Sequence, residues 1–429
     1  MKIGIDMSVL QSDHRFRGIG SVVVNFINNL SESDKSEHSF VFFVEVKDEG
    51  KTYEQLKLDG LKYEVRYLHN KIYTTLPGQL AIVSKIFYKA LGYIQYLTGD
   101  PRISTSDLSD IDRFIQFDQN RKLPRKAHER VALFLHDLIP YVLEADYLWS
   151  FKTARLHGKS FKGSVKSELL RFQYMSRLKI NAKRARTLIA NSEYTKKDFV
   201  KYLNLNPSKI SVAQLGVNTV NEENEIAKPS FIEYRTTMWG TVTQEFDPQT
   251  KPFILFMGGT DFRRKMVDLL AAFNNIRARG FDVSLVLSGD SLEGIEDIKN
   301  PIMKSYIQNN TSYLSDIHLL GYVDNIQRDW LYKNTLAFIF PSVYEGFGLP
   351  VLEAMSHRAA VITYDNTAIT EVAGKSVLYA DSFLQIAEHV TAILDNPKSL
   401  EKIKQLGVAR AQLFTWEKTK DKILKALSR

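Results

Sequence analysis

The chain has no cysteine among its 429 residues. A disulfide framework, a thiol nucleophile and a thiolate metal site are thereby excluded, and a cytoplasmic setting is expected. No window approaches the roughly 18 to 20 apolar residues that a membrane span requires. The opening MKIGIDMSVL alternates like a strand and shows no signal-peptide core ahead of its aspartate. Low-complexity tracts and repeats of solenoid period are absent too. What is present is ordinary for a globular protein: 44% apolar and 25% charged residues. The length is too great for one core, so two domains of about 200 residues are expected.

Net charge is +8, and it is unevenly spread. Eleven Lys and Arg residues between positions 141 and 190, from Lys152 to Arg186, face only Glu144, Asp146 and Glu168. Such a run reads either as a solvated helical face or as a surface for an anionic partner: lipid headgroups, nucleic acid or a phosphorylated acceptor. No interleaved aromatics or nucleic-acid module accompany it, so no nucleic-acid partner is expected.

The first half alternates β-branched runs (2–9, 40–46, 131–136, 187–191 and 209–215) with helical spacing at 19–30 and 195–203. The pattern dissolves through NEENEIAKPS and TVTQEFDPQT, then restarts with strand-like runs at 252–257, 283–288, 317–321, 336–340 and 360–363. Helical spacing falls at 265–279, 325–333 and 350–357, and the chain closes with helices at 382–395, 399–414 and 416–427. This predicts an α/β protein of two Rossmann-like, doubly wound parallel-sheet domains facing an interdomain cleft. The expected divisions are 1–220, a linker at 221–250, a second domain at 251–411, and a final helix at 412–429 that returns to the first domain.

Ligands in such sheets bind beyond the carboxyl ends of strands, so motifs that follow strands carry the most information. In HRFRGIGSVVVNF (14–26), Gly18 and Gly20 lead into a helix whose N-terminus can face an anion; the same pair would also serve a tight turn. In FMGGTDFRRKMVDLLAAF (256–273), Arg263, Arg264 and Lys265 open a helix. Cations there oppose the helix dipole unless an anion, such as a diphosphate, or open solvent lies in front of them. LFLHDLIPYV (133–142) ends a strand in His136, read as reaching into the cleft rather than as a core histidine. The richest stretch is PSVYEGFGLPVLEAM (341–355). Seven residues separate Glu345 from Glu353, Gly346 and Gly348 let the backbone approach a ligand, and Pro350 suits a first helical turn. Glu353, placed in that first turn, is expected to stay ionised and to accept from vicinal hydroxyls.

Together these segments resemble the retaining glycosyltransferases of family 4, or group 1, which have the GT-B fold. EGFGLPVLEAM matches that family's Glu–seven–Glu motif, and HDLIP, ANSEYTKKDFVKYL (190–203) and SVAQLGVN (211–218) look like further counterparts. The resemblance implies that Glu345 holds donor-sugar hydroxyls and Glu353 the ribose. It implies that the amides of Gly346, Phe347, Gly348 and Leu349 meet sugar or phosphate. Arg264 and Lys265, helped by the Gly18–Gly20 loop, would neutralise the diphosphate; His136 would lie by the donor sugar, and Val323 beside Tyr322 would border the nucleobase. The chain departs from the family at Gly259, where many members carry an arginine, and at Arg358–Ala360, where a Gly-x-Pro is common.

The expected activity is transfer of a hexose, with retention, from a UDP- or GDP-linked sugar to a glycan, lipid-linked or protein-linked acceptor hydroxyl in bacterial polysaccharide or glycoconjugate assembly. Neither a metal nor a cofactor is expected, because the basic cluster supplies the positive charge. The stretch 77–97 reads as a core-facing or interfacial helix. With the basic region 152–186 it suggests a peripheral place at the inner face of the cell membrane. The alternatives are a same-fold synthase or epimerase acting on soluble sugars, and a non-catalytic glycan-binding partner of a transferase.

Overall fold

The computed structural model describes the chain except residues 17, 47–48, 69–99, 101, 125–128, 219–225, 238–239, 297, 299–300 and 310. The 77–97 stretch therefore lies outside the described residues. Two compact units divide the chain: Met1–Gly216 with Trp416–Arg429, and Val217–Thr415.

In the first unit, β1 (Lys2–Asp6), β2 (Ser39–Val44), β3 (Tyr63–Tyr67), β4 (Arg113–Gln116), β5 (Val131–Leu135), β6 (Thr187–Ala190) and β7 (Ile210–Val212) form one sheet. Its order is β3-β2-β1-β4-β5-β6-β7, with every pair parallel. Strands buried on both faces read as unbroken apolar runs, as SFVFFV and VALFL do here. One core cluster joins Val41, Phe43, Phe114, Leu133 and Leu188 to Phe199 and Leu178. The closing helix, Trp416–Leu427, belongs to this unit. Lys420 pairs with Asp34 at 2.6 Å, Thr419 Oγ1 donates to the Gln214 carbonyl at 2.7 Å, and Ile423 and Leu427 are buried. The basic region folds as the helices Phe151–Leu156 and Phe161–Arg184.

The second unit repeats the winding. β10 (Phe253–Met257), β11 (Ser284–Ser288), β12 (Ile317–Leu319), β13 (Ala337–Phe340), β14 (Val361–Tyr364) and β15 (Leu378–Ala380) are all parallel. Their order, β15-β14-β13-β10-β11-β12, reverses direction between β10 and β13. Each is a Rossmann-like, doubly wound sheet, as the alternation predicts.

The expected linker is corrected in part. Residues 231–246 are β8 (Phe231–Thr237) and β9 (Gly240–Phe246), an antiparallel hairpin extending the second sheet from β12 through Leu319 and Tyr234. Polar residues disguised it. Glu233 is buried against His318, 2.5 Å from Nδ1, and Phe246 stacks on that imidazole at 4.1 Å between centroids. Among the described residues no helix is long and apolar enough to cross a membrane.

The loops after β10 and β11 touch through backbone. A Cβ on Gly289, at φ 143°, would fall 2.2 Å from the Gly258 carbonyl oxygen. Gly289→Ala should therefore cost about 2 kcal/mol or more through clash and strain. Its urea midpoint should drop accordingly; an unchanged midpoint would show that the two loops do not meet as described.

Candidate active site

In an open parallel sheet, the loops after two adjacent strands diverge where the strand order reverses, leaving a crevice at their carboxyl ends. In the second unit that point lies between β10 and β13, paired as Ile254↔Ala337 and Leu255↔Phe338. The basic cluster follows β10 and the Glu345 segment follows β13. Parallel pairing thus sets side by side two motifs about eighty positions apart in sequence.

Arg263 and Arg264 do not open a helix, as expected, but form a 3-10 turn, Phe262–Arg264, ahead of the helix Met266–Ala278. Lys265 is the residue between them, in the left-handed region at φ 45°. Few side chains adopt that conformation without strain, and such residues concentrate at functional sites. The Val343 amide donates to the Arg263 carbonyl at 2.8 Å, which ties the two loops together.

Arg263, named in the basic cluster but given no role of its own from the sequence, makes the central contact. Its buried guanidinium is ion-paired with Glu345, and Ser342 Oγ donates to the same carboxylate oxygen at 2.9 Å. Arg264 Nε stands 3.9 Å from that oxygen, while its Nη1 donates to the Gly259 carbonyl at 3.0 Å. Gly259, where the family pattern would place an arginine, thus gives its carbonyl to Arg264. Glu345 is held from behind as well. Its amide donates to Thr367 Oγ1 at 3.1 Å, Thr367 Oγ1 donates to Asn366 Oδ1 at 2.8 Å, and Asn366 Nδ2 donates to the Ser342 carbonyl. Thr367 is β-branched yet sits at φ 40°, a conformation that costs about 1–3 kcal/mol and that the surrounding bonds must hold. The signal for Arg263 was its place in the same Arg-Arg-Lys run; which cation turned inward depended on the turn.

Gly346 and Gly348 are buried, and Gly348, at φ 96°, caps the helix Leu349–Ser356. Pro350 falls in the first turn, where its missing N–H costs nothing. The first amides of a helix have no intrahelical acceptor, so the end at Gly348–Leu349 favours an anion. Phe347 turns its ring into the interior, 6.1 Å from Phe414, leaving only its backbone for a ligand.

Glu353 corrects one expectation, its place in the first helical turn. It is the fifth residue of the helix, beyond the first turn, where the dipole acts most strongly. Burial pushes its carboxyl above the ordinary range, opposed by the Arg328 and His357 charges, with the Tyr332 hydroxyl 3.4 Å away. Val323 is half-buried in the loop after β12, beside an exposed Tyr322.

Three expected residues belong to the first unit. Gly18 and Gly20 are not in a loop but in the opening turn of the helix Gly18–Asn28. A Cβ at Gly20 would lie 2.4 Å from the Arg15 carbonyl oxygen, so packing alone requires that glycine. His136, read as reaching outward, is buried at the end of β5, with its Nε2 2.7 Å from the Phe117 carbonyl. Burial lowers its pKa to about 4, which makes it a neutral imidazole carrying its proton on Nε2. Gln119, Asn191 and Thr195 bond the His136 backbone and close over the strand end. Among the described residues no cluster of three or more His, Cys, Asp or Glu is placed to hold a metal ion.

Residues 242–410 match the family described as glycosyl transferases group 1. The O-antigen chain mannosyltransferase B of Escherichia coli is 25% identical over 321 residues, 74% of each chain. An alpha-maltose-1-phosphate synthase of Mycobacterium tuberculosis is 30% identical over 251 residues, covering 54% of this chain and 60% of that one. The crystal structure of Anabaena HepE in complex with UDP-glucose superposes with a TM-score of 0.60 at 15% identity, spanning 100% of this chain and 99% of the other. The Glu345–Glu353 segment and the basic turn, on adjacent strands of the second sheet, both lie within the residues that match the group 1 glycosyl transferases.

Proposed function

We propose that the chain transfers a hexose, with retention at the anomeric carbon, from a UDP- or GDP-linked sugar to an acceptor hydroxyl on a glycan, a lipid-linked precursor or a protein. The pathway would be assembly of a bacterial polysaccharide or glycoconjugate at the inner face of the membrane. The observation that carries the reading is the pairing of Arg263, on the turn before the Met266–Ala278 helix with Arg264 and Lys265 next in sequence, with Glu345 on the loop before the Leu349–Ser356 helix. Similarity to a mannosyltransferase of O-antigen chains supports the acceptor class, and the UDP-glucose complex of a protein of this fold supports the donor class.

The chemistry follows from charge. As the bond between the anomeric carbon and the diphosphate oxygen breaks, negative charge grows on the leaving group and the sugar becomes oxocarbenium-like. Lys265, Arg264 and the amides at Gly348–Leu349 are the groups that would absorb it. One preorganised donor of this kind contributes about 3 kcal/mol. The acceptor oxygen then bonds to the same face of the anomeric carbon and passes its proton to the departing phosphate oxygen. Glu345, its carboxylate committed to Arg263 and Ser342, acts in this scheme by accepting from donor hydroxyls rather than as a nucleophile. The likeness to a maltose-1-phosphate synthase favours a second reading, in which the acceptor is a soluble sugar phosphate. Product analysis with radiolabelled donor separates the two.

Lys265→Ala should lower kcat about a hundredfold or more with UDP- or GDP-sugars; retained kcat would remove the charge argument. Arg263→Met should lower kcat at least tenfold while nucleoside diphosphate affinity changes less than threefold, because it frees the Glu345 carboxylate without touching the phosphates. Equal losses in both would make Arg263 a phosphate ligand instead.

The raised Glu353 carboxyl gives a pH test. The folded state holds that proton more tightly than the unfolded chain, so the group favours folding at low pH and loses that contribution as pH rises through the raised value. If ionised Glu353 accepts from the ribose, nucleoside diphosphate affinity climbs with pH across the same range. Glu353→Gln should bind more weakly and flatten the profile; a profile unchanged in the variant contradicts the role.

A further inference from the structure

The helix Phe161–Arg184 changes character along its length. Its second half buries Leu178 and Ala182 in the core, while its first half buries Ser164 and Ser167 and turns Phe161, Val165, Leu169 and Phe172 outward. Phe161 is 69% exposed and Phe172 62%. These four recur at intervals of four, four and three residues, which aligns them along one side of the helix over about 16 Å. Lys162 and Lys166, both exposed, flank the stripe one position on, and a shallow groove runs between them and Val165 and Leu169.

The neighbouring helix, Phe151–Leu156, continues the surface. Leu156 is 78% exposed, Lys152 and Arg155 are exposed beside it, and Phe151 meets Phe161 edge-on at 5.4 Å. The one acid on the long helix, Glu168, accepts from the Phe151 amide at 2.6 Å and so fixes the two helices together. The patch is apolar and predominantly cationic, with Glu168 the one acid on its two helices.

We propose that this two-helix face docks on an anionic phospholipid bilayer. Aromatic and leucine side chains in a stripe lying along a helix, bordered by lysines on long apolar stems, suit the headgroup–acyl boundary. The stems reach the phosphates while the rings enter the acyl region, and each cation adds attraction to an anionic surface. A protein partner fits less well, since lysine is depleted from the centres of protein interfaces. The docking stands on its own observations. Its use, bringing the enzyme to a lipid-linked acceptor, rests on the function proposed above.

The test is flotation of the full chain with vesicles of phosphatidylcholine alone or mixed with phosphatidylglycerol. The wild type should float with the anionic vesicles, with binding at least tenfold weaker to the neutral ones and weakened by high salt. The variant Phe161→Ser, Leu169→Ser, Phe172→Ser should lose binding at least tenfold, and Lys162→Glu, Lys166→Glu should do likewise. Circular dichroism, melting temperature and donor hydrolysis should match wild type in both. Failure of the wild type to float, or flotation of the apolar variant as well as wild type, overturns the proposal. So does a lowered melting temperature, which would mean that the chain itself covers the face, or a wild-type dimer that the variant turns to monomer, which would assign the face to a second copy. If the chain floats as expected but turns over no nucleotide sugar, the membrane surface stands and the proposed function falls.

Discussion

Parallel pairing of β10 with β13 is the constraint on which the site depends. Two strands about eighty positions apart lie side by side because the winding reverses there, and their outgoing loops have to share one edge of the sheet. One loop carries three consecutive cations and the other an acid between a serine and two glycines. Once the strands are paired, Arg263 and Glu345 have to be accommodated together. The ion pair is the way the fold satisfies both charges away from water.

That pair is costly to bury and would be a poor device for stability alone. Its surroundings show how the cost is met. Ser342 completes the hydrogen bonds of the carboxylate, Thr367 and Asn366 fix its backbone, and the Arg263 carbonyl accepts from Val343. Positive φ values at Lys265, next to Arg264, and at Thr367, bonded to the Glu345 amide, lie at the edges of the same network. A carboxylate held this firmly loses little freedom when a ligand arrives, which is what positioning chemistry requires.

Much of this was legible in the residues. Continuous apolar runs such as FILFM and AFIF announce parallel strands, and Gly-Phe-Gly followed by Leu-Pro announces a backbone turn into a helix. The parts that were not legible depended on partners distant in sequence. Glu233 looks like a loop residue until His318 meets it. Arg263 and Arg264 are equivalent in the sequence, and only the turn after β10 sends one inward to Glu345. Glu353 sits one turn too deep for the dipole to govern its proton, because the helix begins at Leu349 and its carboxyl is enclosed near Tyr332. Gly20 and His136 carry signals that a ligand would explain, yet a close backbone approach and a buried carbonyl account for them locally. The long helix Phe161–Arg184 was legible only as a charged helical face or an anion-binding surface, because its first half turns Ser164 and Ser167 inward and leaves its apolar stripe exposed.

The central claim is that the crevice between the β10 and β13 loops receives the diphosphate of a sugar donor. A crystal structure of the chain with bound UDP or GDP addresses it directly. The account predicts the phosphates between Lys265 and the amides of Gly348 and Leu349, with the ribose hydroxyls at Glu353. Phosphates lodged away from both loops, with that crevice left unchanged, would contradict it.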